Sequence, residues 1–156
     1  MALQLNQDEI LTLIYSDRTD DLIRRCSDLV NTGTTDSVAM MLLALRDDDD
    51  YFDEMSILLH AIERSPVASV YAATRDCFRD LSKNAPKWCD SVVRRHLNAN
   101  ENLTEFNVGK FVDTMRENDE AFVLVAEIAN RLHADNAIPD GSLACFMTDL
   151  PGNSAG

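Results

Sequence analysis

Apolar residues return at every third or fourth position through one segment of this chain after another, and almost nowhere do they alternate. That spacing fits the helical repeat of about 3.6 residues, not the two-residue pleat of a strand. Between about Asp50 and Ser65, Phe52, Met55, Leu58, Leu59 and Ile62 share one face. From Asp119 onward Phe122, Val125, Ile128, Ala129 and Leu132 do the same.

Start and stop residues punctuate these stripes. Asn6 is expected to cap a helix through about Tyr15, Thr19 a second through about Val30 with Gly33 past its end, and Thr35 a third, DSVAMMLLALR. Pro66 suits the first turn of a fifth helix carrying Val70, Ala73, Cys77, Phe78 and Leu81, and Pro86 that of a sixth carrying Trp88, Val92, Val93 and Leu97. A seventh is read from about Leu103 to Arg116. The expectation is an all-α fold of about eight helices in antiparallel hairpins, a compact or short solenoid-like bundle. Residues 1–134 are read as one domain, and 135–156, richer in Pro, Gly, Ser and Asn, as a short docked segment, SLACFM, with a loose end.

A chain of 156 residues can bury roughly two-thirds of its unfolded surface. Its charge is lopsided, with 14 basic against 27 acidic side chains and a net charge of −13. Residues 1–50 hold four basic and eleven acidic groups, residues 101–156 three and ten, and the middle is near neutral with seven and six. Such a field repels nucleic acid and anionic membranes and speeds encounter with a basic protein. The longest apolar run, VAMMLLAL, is far short of the roughly 20 residues needed to cross a bilayer, and MALQLNQDEI lacks the pattern of a secretory leader. A cytoplasmic location is expected.

The run Asp47, Asp48, Asp49, Asp50 invites calcium, but the register fails. With Asp47 as the first ligand, the fifth position is Tyr51, the sixth is Phe52 where glycine is needed, and the twelfth is Leu58 where glutamate is needed. His60, His96 and His133 lie on different expected helices without metal-ligand spacing. Cys26, Cys77, Cys89 and Cys145 form no Cys-x-x-Cys pair and fall in or beside apolar stripes, which suits reduced, buried thiols. No nucleophile elbow or phosphate-cradling glycine loop is present. No cofactor, no metal and no catalysis are expected.

Partner binding has more support. One or two acids complement a helix N-terminus, whereas Asp47, Asp48, Asp49, Asp50, Asp53 and Glu54 together repel one another. These six, with the secondary cluster Glu117, Asp119 and Glu120, are the candidate contacts for a cationic protein.

The segments YFDEMSILLHAIE and DLSKNAPKWCDSVVRRHLN carry a pattern of dispersed positions: Phe52, Asp53, Met55, Ile57, His60, Ala61, Ile62, Glu63, Leu81, Ala85, Pro86, Trp88, Arg95, Leu97 and Asn98. In these, over about residues 42–132, the chain resembles immunity protein family thirty of bacterial polymorphic-toxin systems. The resemblance implies a small all-helical antitoxin that binds and neutralises a toxin domain without catalysis; the acidic charge suggests a basic toxin, such as a nuclease. The alternative is a helical adaptor or scaffold binding a basic cellular protein. His60, Glu63, Arg95 and Asn98, polar positions within the pattern, are expected to form a buried structural network between the fourth and sixth helices.

Overall fold

The structure, a computed structural model, describes residues 2–99 and 105–147, with side chains from Gln7 onward. Among them are nine α-helices and no strand: α1 Ala2–Tyr15, α2 Thr19–Thr32, α3 Thr35–Ala44, α4 Phe52–Arg64, α5 Val67–Asn84, α6 Pro86–Leu97, α7 Val108–Arg116, α8 Asp119–Ala134 and α9 Asp140–Met147. A single 3-10 turn, Asp49–Tyr51, leads into α4. The all-α expectation holds, with one more helix than expected because SLACFM folds as most of α9. α7 starts later than the expected Leu103, because residues 105–107 are not helical and Asn107 caps it; Leu103 itself and the end of the tail lie outside the described residues. The chain divides into two compact units, Met1–Cys89 and Asp90–Gly156, with the division falling inside α6.

In the first unit α3 packs against α1, α2, α4 and α5. Val38, Ala39, Met41, Leu42 and Ala44 are all buried, so α3 is apolar on every side, as a helix surrounded by others must be. Each fully buried Leu or Met side chain here contributes on the order of 2 kcal/mol. The expected α5 stripe is buried throughout. So is that of α4, except for Phe52, which opens the helix and stays 58% exposed.

Polar contacts fix the ends of these helices. Gln7 Nε2 donates to the Leu43 carbonyl at 2.9 Å, tying α1 to the last turn of α3. Gly33 ends α2 in the left-handed region at φ +66°, and its N–H donates to the Leu29 carbonyl. The Ser69 hydroxyl donates to the Gly33 carbonyl at 2.8 Å, pinning that corner to the start of α5. Several expected caps move by one residue or more. Thr34, not Thr35, accepts from the Ser37 N–H to cap α3; α2 begins at Thr19 itself; α1 begins at Ala2, so Asn6 falls inside it.

In the second unit α7 packs against α8 and α9, and α8 against α9. Asn107 and Asn118 cap α7 and α8 by accepting from the Lys110 and Ala121 N–H groups. The His96 ring stacks on Phe111 with centroids 4.4 Å apart and tilts against Phe106 at 5.5 Å. Burial lowers its pKa from 6.5 to about 4, so the imidazole is neutral at neutral pH. Ser142 donates to the Leu97 carbonyl, Asn98 to that of Ala137 and Arg116 to that of Cys145, and these three bonds hold α9 and the segment before it.

Candidate partner-binding surface

The stretch from Arg46 to Asp53 looks uniform in sequence, but its side chains do different things. The Arg46 guanidinium donates to the carbonyls of Leu43 and Leu45, both at 2.7 Å, satisfying acceptors that the end of α3 leaves open. The Asp47 carboxylate accepts from the N–H of Lys87 at 2.8 Å and from that of Trp88 at 3.2 Å. Pro86 opens α6 without an N–H of its own, so Asp47 receives the next two orphan donors and sets its charge against the positive end of that helix. Asp48 accepts from the Asp50 N–H and caps the 3-10 turn.

Asp49, Asp50 and Asp53 are exposed, and Glu54 is half-buried. The six acids expected to act together therefore divide: Asp47 and Asp48 hold backbone, while Asp49, Asp50 and Asp53 present carboxylates to solvent. In the second unit Glu117, Asp119 and Glu120 are exposed, the last two in the first turn of α8, where the helix dipole favours them.

Aromatic side chains lie beside the run, brought there largely by the fold. Tyr15 meets Tyr51 edge to face, centroids 4.8 Å apart, and Phe52 leans on Trp88 at 5.4 Å. Trp88 is buried, while Tyr15 and Phe52 are 45% and 58% exposed. The Tyr51 phenol is held above the usual tyrosine range by partial desolvation and by the carboxylates of Asp17, Asp48 and Asp50. The signal for this cluster was available only as Tyr51 and Phe52 following the aspartates; Tyr15 enters through the fold.

Of the four residues expected in a buried polar network, His60, Arg95 and Asn98 are exposed and Glu63 is half-buried. The inward side of α4 is taken by Met55, Leu58, Leu59, Ala61 and Ile62, which turns His60 to solvent. All four cysteines are free; Cys26, Cys77 and Cys89 are buried and Cys145 is partly exposed. Burial pushes the Cys26 and Cys77 thiols up to about 11 and about 12, which keeps them protonated and unreactive. Among the described residues no group of three or more His, Cys, Asp or Glu is placed to hold a metal ion, and no helix is long and apolar enough to cross a membrane.

The family model described as Immunity protein 30 matches residues 8–106. The chain belongs to the Immunity protein 30 family. The matched span starts earlier than the stretch in which the resemblance is visible by eye, taking in most of α1 with α2 and α3, and it stops before α7. In this Immunity protein 30 chain the aspartate run, the aromatic cluster and all of α6 thus lie within the family's own span. No curated protein and no solved structure gives a significant match.

Proposed function

We propose that this Immunity protein 30 chain binds and neutralises a cognate toxin in the cytoplasm, by stoichiometric protein–protein contact and without catalysis. The observation that carries this reading beyond the family name is the exposure of Asp49, Asp50 and Asp53 on one turn of backbone, beside Asp47 and Asp48, which are occupied in holding it. A net charge of −13 complements a toxin that is basic because it handles nucleic acid, so the proposed toxin is a nuclease. Glu117, Asp119 and Glu120 are a second, independent candidate contact.

Complementary surface charge of this kind acts on encounter, raising the association rate in a way that added salt screens. The test uses the toxin domain encoded beside the gene for this chain. With Asp49→Asn and Asp50→Asn combined, association is expected to slow by about threefold to tenfold at low salt and its salt dependence to flatten. If rate and salt dependence both stay as in the wild type, the run is no contact. Failure of the chain to inhibit that toxin in any amount would overturn the immunity reading itself.

A further inference from the structure

In the first unit the half-buried Tyr51 and the exposed Phe52 directly follow the exposed Asp49 and Asp50 in the chain, and the exposed Tyr15 packs on Tyr51. Phe52 begins α4 directly after the turn that carries Asp49 and Asp50, and Asp53 follows it. One side of the Phe52 ring rests on Trp88, and 58% of the residue remains open to solvent. Tyr15 and Tyr51 pack edge to face, and Tyr15 also lines a shallow groove along α1 with Asp8, Leu11, Thr12 and Ser16. Aromatic and arginine side chains that become desolvated carry much of the binding energy at protein interfaces, and the contacts around them exclude water.

The charges select the occupant. Nucleic acid and anionic lipid are repelled by Asp49, Asp50 and Asp53 together. A second copy meeting through the same face would set one acidic patch against another, because a two-fold contact uses the same surface on both copies. A cationic protein surface satisfies the acids and the rings at once. Among cations the guanidinium fits best, since its plane stacks on an aromatic face while its N–H fork reaches carboxylates; an ammonium offers only a point charge.

We propose that Tyr15, Tyr51 and Phe52, rimmed by Asp49, Asp50 and Asp53, form a docking face for a basic surface of the toxin, with an arginine side chain of the toxin stacked on Phe52. This rests on the immunity reading and adds to it the face used and the chemistry met there. Asp47 and Asp48 act in it only by holding the turn.

The probe is the toxin domain encoded beside this chain's gene, measured for binding rates against the full chain. Phe52→Leu keeps apolar bulk over Trp88 and removes the π face, whereas Phe52→Trp keeps a π face. With Phe52→Leu the complex is expected to dissociate about tenfold faster or more, while Phe52→Trp stays within about threefold of wild type. Urea midpoints of both variants separate loss of contact from loss of fold. Wild-type binding kinetics in a folded Phe52→Leu protein would overturn the stacked arginine, as would an equal loss in a folded Phe52→Trp protein. No binding of the toxin by the wild type would instead overturn the immunity reading on which the docking face rests.

Discussion

The Asp47 carboxylate binds the backbone N–H of Lys87 at 2.8 Å, across forty residues of chain. A second bond to the Trp88 N–H makes it a two-pronged cap for α6, supplied by the loop after α3. Removing a helix cap typically costs about 1–2 kcal/mol, and here two donors lose their partner together. Asp47→Ala is therefore expected to lower unfolding free energy by about 2 kcal/mol, and Asp47→Asn by less, because its one amide oxygen still accepts from one of the two N–H groups. Urea titrations measure this, with Asp49→Ala as a control expected to stay within about 0.5 kcal/mol of wild type. Equal effects at the two positions would sink the distinction between them.

Gly33→Ala is expected to destabilise for two separate reasons. The left-handed backbone at φ +66° disfavours any Cβ, and the added carbon would sit 3.1 Å from Pro66 Cγ. The backbone effect alone is roughly 1–2 kcal/mol, and the close approach adds to it. A thermal midpoint unchanged from wild type would contradict this account.

Acid should weaken the fold through His96 before most carboxylates titrate. Its folded pKa of about 4 lies below the ordinary 6.5, so between those values the unfolded chain takes up a proton that the folded chain refuses. The stabilisation is complete above pH 6.5 and is lost as pH falls toward 4, at up to about 1.4 kcal/mol per pH unit. His96→Phe removes the titrating group, so its stability should decline less steeply from pH 6.5 to 5 than that of the wild type. The comparison is of slopes, and a lower overall stability of the variant leaves it intact.

Thiol labelling separates the four cysteines. Cys26, Cys77 and Cys89 are buried and Cys145 is partly exposed. An aromatic disulfide reagent at pH 8 should modify one thiol quickly in native protein and all four in denaturant. Cys145→Ser should abolish the fast phase, and survival of that phase would place a second thiol at the surface.

The helices were legible in the sequence because a stripe repeats along one element and needs no knowledge of its neighbours. Val70 to Leu81 on α5 and Trp88 to Leu97 on α6 are buried as their spacing predicts. Caps were read less well: the choice between Thr34 and Thr35 depends on a single pair of dihedral angles that composition does not fix. The work of Asp47 was not legible, since its partner is an N–H group forty residues away. Nor was the exposure of Phe52, which shares the periodicity of Met55 and Leu59 but sits at the first position of α4, beyond the packed face. His60 shows the same limit in reverse, as a polar residue of the family-like pattern that the helix turns outward.

The split within the aspartate run has a consequence for how such a chain can change its target. Asp47 and Asp48 keep the loop's shape through backbone bonds, so Asp49, Asp50 and Asp53 can be exchanged with little effect on folding, while Phe52 is held on one side by Trp88. On the docking reading proposed above, substitutions there alter what the face recognises without passing through an unfolded intermediate sequence. A chain that docks a toxin in the proposed way can follow a drifting adversary one residue at a time while its frame stays still.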